Sequence, residues 1–353
     1  MRAIRVHKSG GIDAMRLDEI PRPVPGAGEV LVAVKAAGVG PWDRLIREGE
    51  SGLGQALPLT LGSDISGTVA ALGADVDVFA VGDAVYGATN DLFVGGYAEY
   101  ALVEAGRVAP KPAALDYITA AGLPVVAVTA WQMLFEYARI EPGQAILVRG
   151  AAGSVGACAT QMAKEAGVSV YGTARTRDIE RVRALGAEPV VESDGVGAQL
   201  ASRPLDAVID TIGGDALEST CEALRPNGII VSVVRAPDEA YVRSRSMRAA
   251  YFIVDVTRDR LDRISAIVQR GTLNLPVGEV LDPRRREDRS PHAGWRASQA
   301  RKDRAQGRRL TAAPQGSLQS PVAYGVADSS INMSLSRKKI PRRGGWFLPF
   351  PVS

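Results

Sequence analysis

One segment constrains the fold more than any other: the apolar run Ala145-Ile-Leu-Val-Arg149, then Gly150-Ala-Ala-Gly153-Ser-Val-Gly156, then Ala157-Cys-Ala-Thr-Gln-Met-Ala-Lys164. The first piece has the length and branching of a buried strand, the glycines mark a tight turn, and the last piece has helical composition. Glycines allow the backbone to approach a diphosphate closely, and the first amides of the following helix point at its charge. The glycines alone would fit a plain tight turn equally well. A strand before and a helix after make Gly153, Ser154, Val155 and Gly156 the cradle of a dinucleotide.

Beyond this turn, strands and helices are expected in alternation: Ser169–Gly172, Ile179–Leu185, Ala207–Ile209, Ala216–Leu224, Gly228–Val234, Tyr251–Val256 and Arg260–Gln269. Such alternation predicts a parallel sheet wound with helices. Upstream, a helical stretch is expected from Tyr117 to Tyr137. Before Pro112 the chain has short β-rich runs separated by Gly and Pro, among them Val30–Val34, Gly67–Leu72 and Tyr97–Val103, which suit a small, mainly antiparallel barrel. The expected organisation is a barrel domain over residues 1–115, joined again by 273–281, a nucleotide-binding domain over 116–272, and a basic tail over 282–353.

A site selective for NAD places an acid about twenty residues past the glycine turn, where it holds the ribose 2′-hydroxyl. Here that strand ends Gly172-Thr173-Ala174-Arg175-Thr176-Arg177, with no carboxylate before Asp178. Planar guanidinium forks match phosphate oxygens, so Arg175 and Arg177, next to Thr173, point to the 2′-phosphate of NADPH; a solvated helix start is the plainer alternative.

Cys158 and Cys221 are the only cysteines and His7 and His292 the only histidines, so no cluster has metal-ligand spacing and no disulfide framework is available. The expectation is no metal. The net charge of +3 conceals a division: residues 282–353 hold 15 Lys/Arg against 5 Asp/Glu, leaving 27 against 34 in the rest. Any attraction to nucleic acid would therefore belong to the tail, and charge without aromatic interleaving or a recognisable fold gives no reason to expect specific binding. With neither a leader-like start nor a long apolar stretch, the chain reads as cytoplasmic and not membrane-bound.

Several segments resemble the quinone oxidoreductase (zeta-crystallin-like) branch of the medium-chain dehydrogenases/reductases: Gly62-Ser-Asp-Ile-Ser-Gly-Thr-Val69, Val81-Gly-Asp-Ala-Val-Tyr-Gly87, Gly96-Tyr-Ala-Glu-Tyr100, Leu123-Pro124 through Thr129-Ala-Trp-Gln132, the turn at 150–156, and Asp210-Thr-Ile-Gly-Gly214. The resemblance covers residues 1–281. It implies a GroES-like β-barrel catalytic domain plus a Rossmann domain with a doubly wound parallel sheet. It also implies a homodimer, and hydride transfer from NADPH to a quinone or enone (an α,β-unsaturated carbonyl). Carried over by position, Thr129 would face the nicotinamide, Val233 and Val234 would lie near its ring, and Gly153 to Gly156 would hold the diphosphate. A helix-packing Thr and a core Val pair are the plainer alternatives. Zinc-dependent relatives would carry Cys near Gly40 and His near Ser63, which implies zinc-independent chemistry here. The chain also departs from its branch, with Gly40 where Asn is frequent and Glu192 or Ser193 where an aromatic is. Trp42 and Asp43, on a loop expected to face the nicotinamide, are the candidates for the substrate side. A binding protein without turnover, regulatory or inactivated, is the alternative.

After Leu281 the resemblance stops, where relatives continue with a short helix and a closing strand ending in a Gly-Lys-Ile-Val-Leu-like run. The chain instead reads Asp282-Pro-Arg-Arg-Arg-Glu287 and on into Arg-, Ser- and Pro-rich sequence, whose composition predicts disorder. Back-translating Arg284–Gly307 and reading one nucleotide later allows DDARTAHRMLAGAHRKRGKIVLKV, with only the middle base of each shifted codon free. This points to a frameshift near Leu281. The printed frame would leave the barrel with an unpaired edge.

Overall fold

The computed structural model describes residues 1–192, 195–214 and 217–281, together with the strand Ala323–Ala327. A six-stranded, wholly parallel sheet runs in spatial order Glu188–Val191, Ser169–Ala174, Ala145–Arg149, Leu205–Asp210, Leu224–Ser232, Arg248–Tyr251. Its central runs, Ile146-Leu147-Val148 and Ala207-Val208-Ile209, are buried throughout. They are apolar without alternation because helices cover both faces of a parallel sheet. The chain moves outward one way from Ala145–Arg149 and then the other, so a crevice opens above the carboxyl ends at that switch.

Most of the remaining strands form a mainly antiparallel layer, with spatial path Val277–Leu281, Ala323–Ala327, Glu29–Val39, Asp64–Leu72, Ala84–Ala88, Val108–Pro110, and with Tyr100–Glu104 also on Glu29–Val39. Register shifts after Leu31 and Val34 mark bulges in the long strand, which bend it. One half then pairs with Tyr100–Glu104 and the other with Ala323–Ala327. A small sheet of Met15–Glu19, Arg2–Val6 and Leu59–Thr60 completes this part. The two sheet systems meet where the buried Tyr86 hydroxyl donates to the Leu261 carbonyl at 2.7 Å.

Three expectations need correction. The barrel edge is not unpaired: Ala323–Ala327 lies parallel to Ala36–Val39 and antiparallel to Val277–Leu281. A sheet edge offers backbone donors and acceptors, which an extended segment of almost any composition can satisfy. The rest of the expected disordered tail, 282–322 and 328–353, lies outside the described residues. The sixth parallel strand is Arg248–Tyr251, upstream of the apolar run at 251–256. It is an edge strand and needs little hydrophobicity, while Phe252 stacks on Tyr137 with ring centroids 4.2 Å apart. Finally, Trp42 and Asp43 lie not on a loop but in the first turn of a helix, Pro41–Glu48, opened by proline.

Candidate active site

The glycine turn forms as expected, and its geometry shows what each part does. Gly153 caps the twelve-residue helix Ser154–Glu165 without a side chain, so no side-chain acceptor covers the first amides. A Cβ on Gly156 would stand under 3.0 Å from the Gly150 carbonyl, which leaves room only for glycine as the helix folds back on the strand end. Open amides, the positive end of a helix and a close backbone approach fit a dinucleotide diphosphate.

Beneath the turn lies a buried polar network that sequence reasoning missed. Arg149 Nη1 donates to Asp210 Oδ1 at 2.5 Å and to the Gly213 carbonyl at 3.1 Å. Asp210 also accepts from the Gly213 amide at 3.0 Å and, through Oδ2, from Ser232 Oγ at 2.7 Å. The Thr211 hydroxyl donates to the Arg149 carbonyl at 2.7 Å. The network therefore ties together the ends of three adjacent strands below the crevice. Val233 and Val234 follow directly after Ser232, half-buried, beside the loop at Gly213.

At the end of the second parallel strand Thr173 is buried, and its hydroxyl accepts the Gly150 amide at 2.9 Å. Arg175 is exposed and its guanidinium makes no ion pair with any described residue, whereas Arg177 reaches its neighbour Asp178 at 3.5 Å. Of the two arginines, Arg175 is thus the freer to meet an added anion.

Thr129 sits on the helix Pro124–Trp131, is 4% exposed, and donates to the Val125 carbonyl at 2.6 Å. The packing alternative therefore accounts for its proton, while its lone pairs remain able to accept. One turn earlier, the Val125 amide donates to Asp64 Oδ2 at 3.1 Å, bringing the barrel cluster against this helix. In that cluster Trp42 Nε1 donates to Ser63 Oγ at 3.2 Å, and Ser63 donates to Asp64 Oδ1 at 3.2 Å. A Cβ on Gly40 would run into the indole of Trp42, so glycine at this position gives Trp42 its space. Ser63, like Asp64 and Tyr97, was not among the candidate residues; the quoted Gly62–Val69 and Gly96–Tyr100 segments were the available signal.

Asp43 is buried and accepts from the Gly40 amide at 2.8 Å and the Tyr97 hydroxyl at 2.7 Å. Burial outweighs these bonds and pushes its carboxyl up to about 6. Asp64 is raised too, by burial first and then by the nearby Asp43 charge. Because the folded state binds the Asp43 proton more tightly than the unfolded chain, Asp43 stabilises the fold below its ordinary value of 3.8, and this contribution is lost as pH rises towards 6. In urea unfolding between pH 4 and 7, Asp43→Asn is expected to flatten the curve relative to wild type, by on the order of 2–3 kcal/mol across that range. Parallel curves would contradict this account of Asp43.

Both cysteines are buried, and burial pushes each thiol up to about 12, as inert core residues would behave. His7 Nε2 lies 2.6 Å from Asp18 Oδ2. Among the described residues no helix is long and apolar enough to cross a membrane, and no group of three or more His, Cys, Asp or Glu could hold a metal.

Residues 26–113 match the alcohol dehydrogenase GroES-like domain, and residues 154–251 match the zinc-binding dehydrogenase domain. The chain is 32% identical over 284 residues to the quinone oxidoreductase of Sus scrofa, covering 77% of this chain and 86% of that one. The structure of the quinone oxidoreductase from Coxiella burnetii superposes with a TM-score of 0.75 at 27% identity, over 93% of this chain and 99% of that one. A mycobacterial protein solved in complex with NADPH superposes with a TM-score of 0.71 at 25% identity, over 79% and 92% of the two chains. With its GroES-like barrel and Rossmann sheet, and a relative at this identity over most of its length, the chain is an NAD(P)H-dependent oxidoreductase and belongs to the quinone oxidoreductase (zeta-crystallin-like) branch of the medium-chain dehydrogenase/reductase family.

Proposed function

We propose that this chain is an NADPH-preferring reductase that passes hydride to a quinone or an α,β-unsaturated carbonyl without zinc. The observation that carries the cofactor preference is the acid-free end of the second strand, where Arg175 stands exposed and unpaired among the described residues next to the glycine cradle. The acceptor class is drawn from the quinone oxidoreductases that the chain resembles.

In this reading the amides of Ser154, Val155 and Gly156 bind the diphosphate, Arg175 takes the 2′-phosphate with Arg177 nearby, and Thr173 braces the turn through the Gly150 amide. Thr129, Val233 and Val234 border the nicotinamide half. Bound NADPH supplies the hydride, delivered to the β-carbon of the acceptor. On the substrate side Trp42 offers an apolar face, and its Nε1–H and the Ser63 hydroxyl form a donor chain ending on Asp64. These bonds hold the indole in place, and water supplies the proton for the acceptor oxygen, since an indole N–H cannot take up a proton to relay one. Asp43 fixes the start of the Trp42 helix through its bond to the Gly40 amide. Zinc does not fit this donor set, because among the described residues no three His, Cys, Asp or Glu side chains come together to hold it.

The test is NADPH oxidation against a panel of quinones and enones, with NADH in parallel. NADPH-dependent reduction of at least one acceptor is expected, and Arg175→Ala should raise the KM for NADPH about tenfold while leaving that for NADH near its original value. Tight NADPH binding with no oxidation across the panel would favour the binding protein without turnover. The exposed Tyr251, on the open edge strand of the parallel sheet, and Ile253 just past it support a homodimer. A single monomeric species in sedimentation velocity would refute the dimer.

A further inference from the structure

The second parallel strand ends without an acid, yet the structure brings a carboxylate to that place from the next strand. Thr173 Oγ1 accepts the Gly150 amide at 2.9 Å, which leaves its one proton to donate to Glu192 Oε1 at 3.2 Å. Glu192 directly follows Glu188–Val191, which pairs in parallel register with the second strand, Thr173 against Val190 and Ala174 against Val191. The carboxylate therefore hangs over the end of the second strand, joined through one hydroxyl to the turn that cradles the diphosphate. Its other oxygen has no partner among the described residues, and the residue is exposed. Arg175, two residues past Thr173, has no ionic partner there either, so the two opposite charges do not neutralise each other.

These groups ask for different ligands. A carboxylate with a free oxygen accepts hydrogen bonds from a ribose diol and repels a phosphate dianion, while a guanidinium prefers the phosphate. We infer that Glu192 is a specificity-determining residue that holds the ribose 2′-hydroxyl of the unphosphorylated dinucleotide and opposes Arg175. The chain therefore takes NADH as well as NADPH, with a modest preference for NADPH. The inference rests on the reading of the glycine turn as the dinucleotide site and adds to it the group that limits selectivity.

The experiment is calorimetric titration of the full chain with ADP-ribose and with 2′-phospho-ADP-ribose. Neither probe carries a nicotinamide, so turnover plays no part. Glu192→Gln is expected to weaken ADP-ribose about fivefold and to tighten 2′-phospho-ADP-ribose about fivefold, the size of one partly screened charge interaction. Arg175→Ala should weaken 2′-phospho-ADP-ribose about tenfold and leave ADP-ribose near its wild-type affinity. Both side chains are exposed, and a thermal melt checks that each variant is folded. If Glu192→Gln shifts both ligands in the same direction, Glu192 only braces the turn and the inference is overturned; so it is if neither affinity moves. If Arg175→Ala leaves the phosphorylated ligand unaffected while Glu192→Gln behaves as expected, the Arg175 assignment fails and the Glu192 role stands. Binding of neither probe to wild type overturns the dinucleotide site and the inference with it.

Discussion

Asp210→Ala is expected to destabilise the protein by about 3–5 kcal/mol and to weaken dinucleotide binding, although Asp210 lies beneath the proposed site. The size follows from what remains behind. Arg149 is 5% exposed and Asp210 is completely buried, so removing the carboxylate leaves a guanidinium shut away from water with one carbonyl for a partner. The Gly213 amide and the Ser232 hydroxyl lose their acceptor as well. Replacing both charges, as Arg149→Met with Asp210→Leu, should recover much of the stability, because a buried ion pair is often no better than apolar side chains of similar volume. Binding should not recover with it, since the ties holding the Gly213 loop and the Ser232 strand end to the strand below the cradle are still gone. Urea denaturation and dinucleotide titration on the single and double variants separate the two effects. A double variant that binds dinucleotide as well as wild type would show that the network contributes stability without positioning the crevice.

The glycine turn could be read from the sequence because its geometry is local. Diphosphate binding at a helix start demands glycines at fixed offsets, and nothing distant can substitute for Gly156 next to the Gly150 carbonyl. Arg149 and Asp210 were harder, since they meet only through the parallel register that sets one opposite the other across 61 residues. A trace was visible, in that two apolar strands each end on a charge of opposite sign, but it becomes meaningful only once the strands are known to be neighbours. Glu192 illustrates the same limit. The missing acid was sought along the second strand, whereas the structure supplies a carboxylate from the third. Trp42 and Asp43 were singled out as neighbours on an expected loop, which is instead a helix turn whose packing depends on Gly40.

The C-terminus carries the other large expected effect. Restoring the shifted frame after Leu281 should raise the thermal midpoint by about 5 °C or more and raise turnover along with it. In the printed chain the strand Ala323–Ala327 returns to the sheet after about 40 residues, whereas the shifted frame would place its Lys-Ile-Val-Leu-Lys run after about 20; halving such a loop gains only about 0.6 kcal/mol. Side chains must therefore decide. Ala-Tyr-Gly-Val-Ala offers glycine and alanine, which suit a strand poorly. Three consecutive large apolar residues contribute about 1.5–3 kcal/mol each where they are fully buried, before the entropy of ordering is subtracted. The strand they would join, Glu29–Val39, is followed directly by Gly40 and the helix that carries Trp42 and Asp43, so a better-held edge also steadies the substrate side. Melting curves and the acceptor panel on the two forms test this, and sequencing genomic DNA through the Leu281 codon tests its premise. Equal midpoints would mean that Ala323–Ala327 closes the barrel as well as the shifted segment would. An intact printed frame in the genome would make the basic tail a genuine part of the protein and its strand a native way of covering the edge.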